Sequence, residues 1–164
     1  MAENNDLLDA AAVVGPGLIA RGDTITVSET STGGLIAATL LAVPGASAYF
    51  KGATVPYSLP SRRHWLGMNR HTVADLKPMS EAMAMRFAQI AQEQLDSTWG
   101  LAELGIAGPT GAPYGVAAGT SVIAVAGPNP VSTTVITGHN DRQRNMREFA
   151  SAAIALLGRA LEPK

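Results

Sequence analysis

Residues 24–41 read Thr24-Ile25-Thr26-Val27-Ser28-Glu29-Thr30-Ser31-Thr32-Gly33-Gly34-Leu35-Ile36-Ala37-Ala38-Thr39-Leu40-Leu41. The first four residues are β-branched, which predicts a short buried strand over 24–28. The last seven follow a helical pattern, and we predict a helix over 32–42 that ends before Pro44-Gly45. The hydroxyl- and glycine-rich segment between them is therefore a strand-to-helix turn.

This turn has the composition of an anion-binding site. Open α/β sheets bind ligands just outside the carboxyl ends of their strands. A helix that begins there offers unpaired amides and the positive end of its dipole, which suit a phosphate or carboxylate. One of the hydroxyl side chains would then be available as a nucleophile. The alternative is that Thr30 or Ser31 simply caps the helix, and the spacing supports both interpretations equally.

A second loop repeats the pattern of the first. Gly105-Ile106-Ala107-Gly108-Pro109-Thr110-Gly111 leaves a predicted strand and turns on glycine and proline. Glycines at such a position let the backbone approach a ligand closely. The alternative is an ordinary Gly-Pro turn. Because both loops follow strands, we expect them to line one shared pocket.

The rest of the chain predicts an α/β fold, specifically a three-layer α/β/α sandwich with a mixed sheet. A first helix is expected over 6–21, bent or split at Gly15-Pro16-Gly17 because proline removes a helical hydrogen bond. Residues 57–60 are expected to form a turn. The other predicted elements are strands over 46–55, 101–107, 121–126 and 131–137, and helices over 61–66, 80–95 and 141–161.

Composition narrows the function classes. The 164 residues fit one domain, 1–164, and a hydrophobic content of 46% with 15% charged residues is typical of a globular chain. A net charge of −1 gives no attraction to nucleic acid or to an anionic membrane. Residues 7–20 are apolar but interrupted, so we expect neither a signal peptide nor a membrane span, and a cytoplasmic location. The chain has no cysteine, and its three histidines form no zinc ligand set, so no metal site is predicted.

Several segments resemble one known family. Glu29-Thr30-Ser31-Thr32-Gly33-Gly34 resembles the Glu-Ser-Cys-Thr-Gly-Gly signature of the CinA carboxyl-terminal domain family. Gly105-Ile106-Ala107-Gly108-Pro109 matches the family's Gly-Ile-Ala-Gly-Pro segment outright. Residues 50–58 are similar to its Phe-x-Gly-Gly-Val-Val-x-Tyr-Ser segment, and Asp141-Arg142 to its Gly-Asp-Arg element. These matches run in order along nearly the whole chain.

The resemblance implies a function. The family includes nicotinamide mononucleotide amidohydrolases, which cleave the carboxamide to give nicotinate mononucleotide and ammonia. It implies a pyridine nucleotide or a related anion as the ligand, no cofactor, and a homodimer or higher homo-oligomer. It also implies a stand-alone version of a domain that longer members join to a molybdopterin-like partner domain.

The chain departs from the family where its chemistry is expected. The family's amidohydrolase is thought to use a serine nucleophile and a lysine base, whereas Thr30 and Arg62 occupy those positions here. The threonine methyl crowds attack, and an arginine, with a pKa above about 12, cannot be a neutral base. Ser31 stands at the cysteine position, and Leu104 replaces a serine or threonine. The candidate catalytic residues are Thr30, Ser31, Tyr57 and Arg62, and the candidate ligand-binding residues are Glu29, Thr32, Gly33, Gly34, Gly105, Ala107, Gly108, Pro109, Thr110 and Arg142.

Three functions remain open at this point. The first is a nicotinamide mononucleotide amidohydrolase that uses Thr30 or Ser31, with activity expected to be weak or lost. The second is a non-catalytic protein that binds a nucleotide or another anion. The third is a hydrolase for a different small amide, because a fold does not fix a reaction. The sequence favours retained binding over retained chemistry.

Overall fold

The protein was analysed as a computed structural model that describes residues 3–163, with side chains from residue 6 onward. Its helices and strands alternate over residues 3–66, and a three-residue 3-10 turn lies at Ala46–Ala48. In chain order the elements are α1 (Glu3–Arg21), β1 (Ile25–Glu29), α2 (Leu35–Leu41), β2 (Phe50–Thr54), α3 (Leu59–Leu66), α4 (Glu81–Gln94), β3 (Trp99–Ile106), β4 (Thr120–Ala126), β5 (Val131–Ile136) and α5 (Arg142–Leu161).

The five strands form one mixed sheet in the order β2-β1-β3-β4-β5. Strand β1 is parallel to both of its neighbours, and β4 and β5 are antiparallel additions. The carboxyl ends of β2, β1 and β3 therefore lie side by side at one edge. The mixed sheet that the sequence predicted is confirmed.

Helices cover both faces of this sheet, so the predicted three-layer α/β/α sandwich is confirmed as well. Helices α1, α2 and α5 pack on the face that carries Ile25, Val27 and Leu101. Helix α4 packs on the other face, where Ala102 and Leu104 alternate with the residues of the first core. This alternation follows from the two-residue period of a strand, and burying each large side chain contributes about 1.5–3 kcal/mol.

Helix α1 corrects the expectation of a bend or split at residues 15–17. It runs without interruption through Pro16. Gly15 lies against the α2–β2 connection, where a Cβ atom would stand only 2.8 Å from Val43 Cγ1 and 3.1 Å from the Tyr49 hydroxyl. This glycine therefore permits close packing and does not break the helix.

The turn after β1 is longer than predicted. Helix α2 begins at Leu35, not at residue 32, because Gly33 and Gly34 have φ angles of 65° and 103°. Such left-handed backbone suits glycine and cannot belong to a right-handed helix. The N-cap is Gly34, which has no side chain to donate or accept, so the interpretation of Thr30 or Ser31 as the cap is wrong.

Two boundaries near β2 also differ from the sequence prediction. Residues 46–48 form the 3-10 turn, and the strand begins only at Phe50. Leu59 and Pro60 belong to α3, not to a turn, because the Ser58 hydroxyl accepts from the Ser61 amide as an N-cap. Proline is well tolerated in the first turn of a helix, where its missing N–H would lack a partner anyway. Between residues 3 and 163 no helix combines the length and apolar character needed to span a bilayer.

Candidate functional site

The two predicted loops lie next to each other. Glu29 at the end of β1 is in register with Glu103 on β3, and the Thr30 amide continues the pairing by donating to the Glu103 carbonyl at 3.0 Å. Gly105 is so close to the turn that a Cβ atom there would overlap the Ser31 hydroxyl. The 29–34 turn and the start of the 105–111 loop therefore share one edge of the sheet.

Beneath the turn lies a group of side chains that we call the inner carboxyl cluster, formed by Glu29, Ser31, Thr32, Glu103 and Ser121. All five are buried. The hydroxyls of Ser31 and Ser121 donate to Glu103 Oε1 at 2.6 and 3.0 Å, and the amides of Thr30 and Thr32 donate to Oε2 at 3.1 and 3.2 Å. One carboxyl group thus contacts three consecutive residues of the turn.

Glu29 supports the turn from the α2 side. Its carboxylate accepts from the amides of Ile36 and Ala37 at 3.1 and 2.9 Å and from the Thr32 hydroxyl at 2.5 Å. These amides are the unpaired donors that the sequence assigned to an external anion. Because a carboxylate of the chain already satisfies them, Glu29 acts as an internal cap for α2, and its side chain is fully buried away from any ligand.

Glu103 is a site residue that the sequence analysis missed. Burial raises the pKa of its carboxyl group, and hydrogen bonds from Ser31, Thr32 and Ser121 oppose that effect. The available signal was a charged residue in the middle of the otherwise apolar strand 99–106. A buried carboxyl group costs free energy unless it is hydrogen-bonded, so its presence there indicates a specific role.

Above the sheet edge lies a second group, which we call the outer arginine cluster, formed by Tyr57, Arg62, Tyr114 and Arg142. The Arg142 guanidinium donates to the Gly108 carbonyl at 2.6 Å and to the Tyr57 hydroxyl at 3.3 Å. Arg62 Nε donates to the Pro56 carbonyl at 3.1 Å, and its guanidinium lies 5.4 Å from the centre of the Phe87 ring. The cluster joins the segment after β2 to the loop after β3.

No carboxylate among the described residues neutralises the charges of these arginines. Burial lowers the pKa of Arg62, while Tyr114 and Tyr57 oppose the shift, and a guanidinium stays charged at neutral pH. The ion pairs among residues 6–163 join His139 and Arg144 to Glu148 and involve neither Arg62 nor Arg142. Two positive charges without a carboxylate partner therefore stand at this edge.

Thr30 and Ser31 have different surroundings although they are adjacent. The Ser31 hydroxyl points into the inner carboxyl cluster, whereas no hydrogen bond in the described part of the chain uses the Thr30 hydroxyl. Because β1 lies between β2 and β3, the turn that carries Thr30 begins at the same sheet edge as the segments after those two strands. Both residues are 3% exposed, and of the two hydroxyls only that of Ser31 is engaged in the inner carboxyl cluster.

The 105–111 loop is held by α5. The side-chain amide of Asn145, which is fully buried, donates to the Ala107 carbonyl at 2.9 Å and to the His139 carbonyl at 3.1 Å. Ala107 and Gly108 are buried as a result, while Pro109 and Thr110 remain exposed. The sequence analysis did not predict this role for Asn145, which depends on a contact 38 positions away.

Other features lie away from this edge. A surface groove of about 640 Å³ runs beside α4 and is lined by Thr72, Arg86 and Glu93 among others, and one of about 170 Å³ lies between α1 and α5. Neither groove contains a predicted site residue. The candidate site is therefore identified by its polar and charged side chains and not by the size of a groove. Leu104 packs in the core under α4. Among the described residues, no group of three or more histidine, aspartate and glutamate side chains could hold a metal ion.

Solved structures share this architecture. A competence-damaged protein (CinA) superfamily protein from Klebsiella pneumoniae aligns with a TM-score of 0.86 and 27% identity, over 94% of this chain and 97% of that one. The competence/damage-inducible protein from Agrobacterium tumefaciens aligns with a TM-score of 0.87 over 96% of each chain. At 24% identity, the second likeness concerns the fold alone.

The sequence comparisons establish the family. The sequence model of the CinA C-terminal domain matches residues 8–161, so the chain belongs to the CinA C-terminal domain family. CinA-like proteins from Fervidobacterium nodosum and Gloeobacter violaceus are 33% and 34% identical over 88% and 98% of this chain. The chain spans only 35% and 37% of the length of these relatives. The resemblance inferred from the motifs is confirmed.

Proposed function

We propose that this protein binds a pyridine nucleotide or a related small anion at the outer arginine cluster, and that its amidohydrolase activity is very weak or absent. The observation that carries the proposal is the pair of guanidinium groups near Tyr57, Arg62 and Arg142, which have no carboxylate partner among the described residues. Family membership supports the ligand class, because members that cleave nicotinamide mononucleotide act on such a nucleotide.

The charges favour an anionic group of the ligand. Arg62 is half-buried, and a partly desolvated charge is stabilised most by a partner that also accepts hydrogen bonds. A guanidinium presents a planar fork of donors that matches a phosphate. Arg142 already uses one edge for Gly108 and Tyr57, which fixes its direction. We assign the phosphate of the ligand to these two side chains.

The aromatic rings favour a flat group beside the phosphate. Tyr57 and Tyr114 are 59% and 57% exposed, which is unusual for large rings unless they contact a partner. Both lie close enough to Arg62 to influence its pKa. A pyridine ring would stack on such a surface, and the stacking adds to the charge attraction.

Among the candidate site residues, none is placed to act as the base that amide cleavage by the Thr30 hydroxyl needs. A hydroxyl nucleophile needs a group that takes its proton, and Arg62 cannot do so. The carboxyl group of Glu103 accepts from the Ser31 hydroxyl but contacts Thr30 only through its backbone amide. We therefore expect Thr30 to contact the ligand without being activated as a nucleophile. Losing a positioned base lowers a rate by about a hundredfold to ten-thousandfold.

A titration with nicotinamide mononucleotide, together with an ammonia-release assay, tests the proposal. Arg62→Met and Arg142→Met should each weaken binding about tenfold or more, since each loses a charge-assisted hydrogen bond. Arg147→Met is the matched control, because this exposed arginine of α5 lies outside the cluster. Unchanged affinity in both cluster variants would refute the site. A wild-type turnover near one per second, ordinary for an enzyme, would refute the loss of activity.

The oligomer predicted from the sequence is also part of this proposal. Leu8, Val13 and Ile19 expose apolar surface along α1, and Val13 is 76% exposed. Apolar surface of this kind is typical of contacts between subunits. We expect at least a homodimer, and light scattering that reports a monomer at micromolar concentration would contradict it.

A further inference from the structure

The Glu103 side chain adds hydrogen bonds to a turn that backbone contacts and Glu29 already hold. The pairing of β1 with β3 already includes the Thr30 amide and the Glu103 backbone carbonyl, and the Gly33 amide closes the turn on the Thr30 carbonyl. Glu29 satisfies the first amides of α2. The Glu103 side chain is nevertheless fully buried and directed at the same turn. Its contacts therefore serve the placement of particular residues.

These contacts separate the two adjacent hydroxyls. Glu103 Oε1 accepts from the Ser31 hydroxyl at 2.6 Å, the shorter of its two hydroxyl contacts, and this holds the Ser31 side chain inward. Glu103 Oε2 accepts from the amides on either side of Ser31, those of Thr30 and Thr32. With these three contacts made, the conformation of the turn is held, and the Thr30 hydroxyl stays without a hydrogen bond among the described residues.

The hydrogen bond between Ser31 and Glu103 lies directly beside Gly105, where there is no room for a side chain. At Gly105 a Cβ atom would overlap the Ser31 hydroxyl and would stand 2.5 Å from Glu103 Oε1 and 2.9 Å from the Phe149 ring. Only a residue without a side chain fits there, so the close Ser31–Glu103 contact depends on glycine at position 105. Ser31 and Thr30 are each 3% exposed.

We propose that Glu103 is a positioning residue of the site: it holds the Ser31 hydroxyl inward and so presents Thr30 to the ligand at the outer arginine cluster. This inference rests on the proposed function for its ligand. The position of the turn itself does not depend on that function. Glu103 touches no ligand and acts only through the residues of the turn.

Two substitutions at position 103 test the proposal. Glu103→Gln keeps one carbonyl for the Thr30 and Thr32 amides, and its NH₂ group can donate to the serine hydroxyls. Glu103→Leu removes every acceptor at similar volume. Glu81→Gln is the matched control, because Glu81 also accepts from two hydroxyls, those of Ser132 and Thr134, on another part of the sheet.

The readouts are amide hydrogen exchange at residues 30–32, measured by NMR, and calorimetric affinity for two probes, nicotinamide mononucleotide and inorganic phosphate. In Glu103→Leu we expect exchange at the turn to speed up about tenfold or more, because the turn amides and the Ser31 hydroxyl lose their buried acceptor. Nicotinamide mononucleotide should bind about tenfold more weakly, while phosphate binding at the arginines stays unchanged. Glu103→Gln and the control should remain close to wild type.

A milder pair of variants keeps the test valid if Glu103→Leu does not fold. Ser31→Ala and Ser121→Ala each remove one hydroxyl from the same Oε1 atom, but only Ser31 belongs to the turn. We expect faster exchange at residues 30–32 in Ser31→Ala and not in Ser121→Ala. Equal effects of the two variants would overturn the proposal.

The outcomes separate this proposal from the proposed function. If wild type binds neither probe, the proposed function fails, yet exchange at the turn still decides whether Glu103 positions it. If Glu103→Leu leaves exchange and affinity unchanged, the positioning role is refuted. If it accelerates exchange throughout the chain and weakens both probes equally, Glu103 has a general structural role and the proposal also fails.

Discussion

The inner carboxyl cluster and the outer arginine cluster lie on two sides of the same turn but differ in how completely their polar groups are satisfied. Inside, Glu103 accepts from three hydroxyls and two amides, and Glu29 accepts from two amides and a hydroxyl. Outside, within the part of the chain that the structure describes, Arg62 and Arg142 donate to carbonyls and a phenol and have no carboxylate partner. A saturated network supports a structure, whereas an unsatisfied one is available to a ligand.

This difference changes the meaning of the strand-to-helix turn. In the general α/β pattern, the helix after the turn attracts the anion. Here α2 is only seven residues long, and Glu29 occupies its first amides. The positive charges without a carboxylate partner among the described residues are instead carried by Arg62 and Arg142 in the neighbouring segments. The sequence pattern therefore indicated the correct edge of the sheet. It assigned the wrong hydrogen-bond donors to an external anion, because the α2 amides donate to Glu29.

The largest effect is expected from restoring chemistry to the outer side. Thr30→Ser with Arg62→Lys supplies an unhindered hydroxyl and an amine that burial can deprotonate. The double variant should release ammonia from nicotinamide mononucleotide about a hundredfold faster than wild type, well above either single variant, because nucleophile and base act as a unit. Steady-state ammonia release is the measurement.

The two single variants are the controls for this prediction, since additive small gains would indicate independent effects. A double variant that still binds the nucleotide but remains inactive would show that further residues are missing. Leu104 is then the first position to change, because it replaces a polar residue and packs in the core beside the loop.

The next effect concerns the space beneath the turn. Gly105→Ala should lower the free energy of unfolding by about 3 kcal/mol, because its Cβ atom overlaps the Ser31 hydroxyl and crowds Glu103. Gly17→Ala is the matched control. It lies in α1 with its nearest neighbour, Leu161 Cδ1, at 3.8 Å, and should be neutral or stabilising by about 0.5–1 kcal/mol. Denaturant unfolding measures both, and equal values would contradict the tight contact at Gly105.

How far the sequence predicted these features depends on how local their causes are. The β-branched run at 24–27 predicted β1 to within one residue, because it is a local pattern. Gly15 was misread, since its close contact with Val43 exists only after folding. The N-cap was misread because the α2 amides are satisfied by Glu29, seven and eight positions earlier.

The inner carboxyl cluster was the least predictable part of the site. The partners Ser31 and Glu103 are 72 positions apart, and no local pattern connects them. Arg142 reaches Tyr57 across 85 positions, and only the family resemblance brought both to attention. Sequence patterns therefore located the edge of the sheet and several of its residues, while the division into an inner and an outer side required the fold.

Two buried threonines allow a direct comparison between a hydroxyl that is hydrogen-bonded and one that is not. The Thr32 hydroxyl contacts both Glu29 and Glu103, whereas the Thr26 hydroxyl is buried on β1 without a partner among the described residues. Thr32→Val should cost about 2 kcal/mol of stability, and Thr26→Val should be neutral or stabilising by up to about 1 kcal/mol. Thermal and denaturant unfolding of the two variants give the comparison, and a larger loss in Thr26→Val would contradict it.

The smallest effect is expected for Glu103→Gln, which keeps most hydrogen bonds and removes only the titration. Because burial raises the folded-state pKa of Glu103, the neutral form is favoured in the native protein. Its contribution to stability is complete below the unfolded-state pKa of about 4.3 and is lost as the pH rises through the folded-state pKa. The free energy of unfolding of wild type should therefore fall relative to Glu103→Gln from about pH 4.3 upward and level off above the folded-state pKa. Denaturant unfolding of both proteins across this range measures the difference. A difference that grows in favour of wild type with rising pH would mean that the hydrogen bonds from Ser31, Thr32 and Ser121 outweigh burial and lower the folded-state pKa of Glu103.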